Sequence, residues 1–228
     1  MKNFYNYIKE SKESNETKIV ELSFYDFINI CDQYKAVEFK DKTGFTICDI
    51  VKQVKDYDEQ IGFSNKSNKY HFLVALNDKK ILGVFYKQLR GNPDIYDDGY
   101  IISKGVGKEL FNEMKKLGPY TTFSNISNIA SIKSQLQMGG EILCLTDSSP
   151  EKPSGNYNKE IQDENLKQLM IDEKLYYKVD DEKFFILDEN GNFKQKEFVD
   201  FILNNDRIQI IEPKKDLASK IKIYFLII

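Results

Sequence analysis

Residues 99–140 read GYIISKGVGKELFNEMKKLGPYTTFSNISNIASIKSQLQMGG, and the reading of this stretch decides the fold. An apolar strand, Tyr100-Ile101-Ile102, runs into Ser103-Lys104-Gly105-Val106-Gly107-Lys108, and a helix follows directly. Glycines at 105 and 107 let the backbone turn tightly and bring several N–H groups to one point. The first turn of a helix has unpaired N–H groups and a partial positive charge, so the segment predicts a phosphate cradle. It is not a Walker A loop, because no Gly-Lys-Ser/Thr follows at that spacing. It is not G-x-G-x-x-G, because position 110 is Leu. Taken alone, the loop can also be read as a plain strand-to-helix turn.

Outward from the loop, the following helix turns Val106, Leu110, Phe111, Met114 and Leu117 inward, and Gly118-Pro119 ends it. Tyr120 to Ser124 is a strand. Asn128 to Met138 is a helix with Ile129, Ile132 and Leu136 inward, closed by Gly139-Gly140. Glu141 to Thr146 is the next strand. Strand–helix–strand–helix–strand order from 95 to 146 is α/β in character. Upstream, His71–Leu76 and Ile81–Leu89 form a hairpin around Asn77-Asp78. The strand from Ile95 to Ile102 feeds the loop, and Asp97-Asp98-Gly99 interrupts its apolar pattern, a signal for a bulge or a close backbone approach. Residues 22–35 show helical spacing with Ser23 as N-cap, and residues 47–61 repeat the pattern. Downstream, 147–158 is a loop. A helix lies within 159–177, a strand over 175–179 and a hairpin signal at Asn190-Gly191. A short helix over 197–203 and strands over 208–211 and 221–228 follow.

Composition bounds the function. The chain has 228 residues, is 41% hydrophobic, and balances 33 basic against 36 acidic side chains for a net charge of −3. This supports one large domain or a domain with an extension, and argues against a general polyanion binder. Cys31, Cys48 and Cys144 form no CxxC pair and His71 is the single histidine, so no metal site is expected. The scattered cysteines predict reduced thiols and a cytoplasmic protein, and no stretch predicts a membrane span. His71 reads as a packed or edge residue and the cysteines as core residues.

The loop resembles the pyrophosphate-binding segment of the GNAT superfamily of N-acyltransferases. That family's Gln/Arg-x-x-Gly-x-Gly/Ala pattern falls on Ile102-Ser103-Lys104-Gly105-Val106-Gly107, with Ile102 in place of the leading Gln/Arg. The family's second signature, Asn-x-x-Ala/Ser with later Tyr and Gly, is matched by Asn128, Ser131 and Gly139, with Gln135 at the Tyr position. The resemblance covers residues 60–147. It implies an α/β (α+β) fold with a central mixed, mostly antiparallel sheet flanked by helices. Residues 1–147 would be the core, with N-terminal helices over 22–61 and a coenzyme-binding half over 95–147. Residues 148–228 would be a C-terminal extension completing the sheet.

The activity implied is transfer of an acyl group, in the first place acetyl, from acyl-coenzyme A to a primary amine by direct attack in a ternary complex. Backbone N–H groups from Lys104 to Lys108 would hold the pyrophosphate, with Lys104 and Lys108 adding charge and Asn128 and Ser131 contacting the coenzyme arm. Asp97 or Asp98 would be the general base. Gln135 cannot act as the acid that the family tyrosine supplies. The acceptor would be a small-molecule or peptide amine, and a homodimer is compatible. Two alternatives stay open: a protein of this fold modifying a nucleic-acid base or tRNA, and a non-catalytic binding protein.

Overall fold

The computed structural model describes residues 17–36, 70–77, 80–88, 97–103, 105–147 and 160–228. The expected helix over 47–61 and the loop over 148–158 lie outside the described residues. The chain divides into two compact units, residues 1–91 with 97–118 and residues 92–96 with 119–228.

In the first unit, β1 (Lys18–Leu22), β3 (Tyr70–Asn77), β4 (Lys80–Gln88) and β5 (Asp97–Ser103) form an antiparallel array in that order, and β2 (Lys35–Ala36) pairs parallel with β4. Alternation sets the register: Val20 lies opposite Val74 and Leu22 opposite Phe72. Helix α1 (Phe24–Gln33) starts where Ser23 caps it, the Oγ accepting from Asp26 N at 3.2 Å. Its Phe27 stacks on Phe72 with centroids 4.4 Å apart, and Val20, Leu22, Ile30, Val74, Ile81 and Val84 complete this core. His71 lies on β3, which is flanked by β1 and β4, and its Nδ1 is 2.8 Å from Glu21 on the exposed side. The β4–β5 ladder is continuous from Asp98 to Ser103, so the Asp-Asp-Gly interruption makes no bulge toward β4. Helix α2 (Gly107–Met114) buries Leu110, Phe111 and Met114, and a 3₁₀ turn over Lys115–Leu117 extends it. Leu117, expected inward, is only half-buried. The buried Lys87 reaches across to donate to the Leu117 carbonyl at 2.6 Å, a cation at a helix C-terminus.

In the second unit, β11 (Lys222–Ile227) lies between β6 (Tyr120–Asn125) and β7 (Glu141–Thr146), antiparallel to both. Its apolar run from Ile223 to Ile227 is buried throughout, which a strand paired on both edges and covered on both faces requires. The β7–β11 register shifts after Tyr224, leaving Leu143 as an extra residue. A second sheet orders β10 (Gln209–Ile211), β8 (Tyr176–Val179) and β9 (Glu182–Phe184). Helices α3 (Ile129–Gln137), α4 (Glu164–Ile171) and α5 (Gln195–Asn204) complete the unit. Tyr177 donates to the Ile126 carbonyl at 2.6 Å and packs against Phe198 and Phe201, tying the small sheet to the end of β6. The fold is therefore mixed α/β, with mostly antiparallel strands and five α-helices among the described residues.

Candidate functional site

Strand β5 delivers the chain to Gly105, which sits at φ +77°, a left-handed conformation that a side chain would strain. A Cβ at Gly105 would meet nothing within 4 Å, so the glycine serves the turn and leaves open space above it. Val106 then occupies the N-cap position of α2 and supplies no side-chain cap. Its side chain is buried, so only its backbone is available to a ligand. The helix begins at Gly107, and Lys108 is exposed beside it. An eight-residue helix thus starts with no side-chain hydrogen bond from its N-cap residue, and the first-turn N–H groups of any helix lack intrahelical partners. The side chain of Ile102 and all of Lys104 lie outside the described residues. So do the side chains of Asp97 and Asp98, whose backbone opens β5 with Asp98 opposite Gln88.

Asn128 and Ser131 belong to the second unit. Asn128 is exposed and caps α3, its Oδ1 accepting from Ser131 N at 3.2 Å. Capping uses one lone-pair direction of that oxygen and leaves the side-chain NH₂ for a ligand. The Ser131 hydroxyl instead joins a polar cluster. It lies 2.5 Å from Ser124 Oγ, and Gln135 Nε2 donates to Ser124 at 2.7 Å and to Ser131 at 3.1 Å. Gln135 is only 5% exposed, and its Oε1 has no partner among the described residues. The apolar spacing of α3 places Ile129, Ile132 and Leu136 inward. In fact Ile132 and Gln135 are the buried pair, because Ser124 of β6 offers Gln135 a hydrogen-bonding partner inside. Only the three-dimensional pairing of α3 with β6 reveals Ser124 and Gln135 as a unit.

No described tyrosine with a shifted hydroxyl is suited to proton transfer at neutral pH. Burial raises the Tyr120 and Tyr177 hydroxyls well above the ordinary range. Partial burial raises Tyr34 as well. Among the described residues no group of three or more His, Cys, Asp and Glu side chains could hold a metal ion. No described helix is long and apolar enough to cross a membrane.

No protein-family model matches the chain, and no curated protein matches it. Among solved structures, the chain is similar to Campylobacter jejuni N-acetyltransferase PseH in complex with acetyl coenzyme A. The identity is 16% and the TM-score 0.35, over 55% of this chain and 89% of that one. A second structure of the same Campylobacter jejuni protein matches with the same identity and TM-score, over 54% of this chain and 88% of that one.

Sequence reasoning found the glycine turn and the start of α3 at Asn128, each of which has a local signature. It missed a cavity of about 390 Å³ along β7, bordered by side chains from four separate segments of the second unit. No spacing rule links Leu145, Lys167, Leu187 and Gln195.

Proposed function

We propose that the chain is an N-acyltransferase that moves an acyl group, most simply acetyl, from acyl-coenzyme A to a primary amine. The observation that carries this reading is the uncapped start of α2 at Gly105-Val106-Gly107, directly after an apolar strand. The N–H groups of residues 105–108 would receive a pyrophosphate, with the positive end of the helix and Lys108 adding charge. Bound acyl-coenzyme A supplies an activated thioester. The chain's own tasks are to orient it, to remove a proton from the acceptor ammonium and to exclude water. Asp97 or Asp98, at the head of β5, would take that proton. The side chain at position 135 is an amide held by two serines, so this position donates no proton, and the leaving thiolate would take one from water.

The test is thermal unfolding of the whole chain with acetyl-coenzyme A, alongside Gly107→Trp. A ligand that binds only the folded state adds about 2.7 kcal/mol at about one hundred times its dissociation constant. The expected outcome is a rise in melting temperature that the variant loses, followed by acyl transfer to a panel of amines. Absence of a rise with acetyl-, succinyl- and free coenzyme A would refute the reading. Binding without transfer to any amine would point to a non-catalytic coenzyme-binding protein.

A further inference from the structure

We propose that the cavity beside β7 is a binding site for a small organic carboxylate with an apolar body. Its lining includes none of the residues assigned to acyl transfer, so it goes beyond that reading. Its volume of about 390 Å³ falls within the range of roughly 300–1,000 Å³ typical of small-molecule sites. The irregular register of β7 shapes one wall. Side chains in a regular strand alternate between faces, but the extra residue at Leu143 breaks the alternation, and residues 143, 144 and 145 all border the cavity.

The lining has two characters. Leu145, Leu187 and Phe193 are apolar, while Lys167, Asn192, Gln195 and, at the rim, the exposed Glu160 present one cation, two amides and one carboxylate. Lys167 is held in place rather than free in solvent, with its side chain only 24% exposed. Its stem crosses Gly191, where a Cβ would come within 3.0 Å of Lys167 Cε. Gly191 also sits at φ +80°, so the turn itself favours glycine there. Among the described residues the ammonium's ion-pair partner is Glu160 at 3.6 Å, beyond hydrogen-bonding length, with that carboxylate 81% exposed. An exposed, water-screened partner neutralises little, so the ammonium keeps donors for a ligand. One lysine, with no guanidinium fork beside it, suits a single negative charge better than a phosphate ester. The leucines and the phenylalanine would receive the apolar body.

The experiment is calorimetric titration of the full chain with phenylacetate and with its uncharged counterpart phenylacetamide. Phenylacetate should bind saturably and the amide about tenfold or more weakly. Lys167→Gln should abolish that difference, Lys167→Arg should keep it, and Glu160→Gln should tighten the acid by removing a like charge. Each variant is checked for a wild-type melting curve, and Lys167→Arg stands in if Lys167→Gln fails to fold. Absence of saturable binding of phenylacetate, equal affinities for acid and amide, or weaker acid binding by Glu160→Gln would overturn the proposal.

Discussion

At the scale of single residues, the Gln135 side chain carries a measurable energy. It is buried, donates to two serine hydroxyls and keeps one oxygen unsatisfied. Gln135→Ala should lower unfolding free energy by about 1–3 kcal/mol in urea titrations. A double-mutant cycle with Ser124→Ala should show coupling of at least about 0.5 kcal/mol, because the two groups share a hydrogen bond. Asp188 gives a prediction in pH. The Asn192 side chain, then the Asn192 and Asn190 N–H groups, donate to its carboxylate and hold it below the usual aspartate range, with Lys194 adding to the effect. A lowered folded-state pKa contributes stability above the unfolded-state value, about 3.9, and that contribution is lost as pH falls through the folded-state value. Asp188→Asn should therefore flatten the acid limb of a plot of melting temperature against pH, while the wild type loses stability below about pH 4.

At the scale of elements, the contact between β8 and the end of β6 depends on one phenol. Tyr177→Phe leaves the Ile126 carbonyl without its buried donor and should cost about 1–3 kcal/mol, read from chemical unfolding, with the aromatic cluster of Phe198 and Phe201 retained. The elements also show what a sequence discloses. Helix α1 is legible from Ser23 and its apolar spacing, β3 and β4 from apolar runs around a turn, and α3 from Asn128, because each signal is local. The turn between β8 and β9 is not. It passes through Asp180 at φ +50°, a conformation that aspartate tolerates but does not advertise. The pairing of β1 with β3 and the insertion of β11 between β6 and β7 are equally hidden. Periodicity reports which face of an element is apolar, not which distant segment covers it. At the candidate site, the Gly105 turn could be read from composition, whereas the inward Gln135 could not, because its partner Ser124 lies on another element.

For the molecule as a whole, charge sets an expectation about partners. With 33 basic and 36 acidic side chains the chain has no excess of cations to release counterions from a nucleic-acid backbone. Fluorescence anisotropy with labelled duplex DNA should therefore show no binding at physiological salt. Salt-sensitive binding would instead favour a nucleic-acid substrate. Charge balance and apolar content are whole-chain sums and are fully legible in the sequence.

The place of β11 has a further consequence for biosynthesis. On the ribosome β6 and β7 emerge first, and everything from Asp147 to Ile221 must be made before the strand that lies between them. At about 5–20 residues per second, that interval is on the order of ten seconds. Throughout it, two strands stand without the neighbour that later joins them, and bare strand edges are templates for pairing with other chains. Solubility of the nascent protein is therefore decided by how quickly the latest of its three strands arrives.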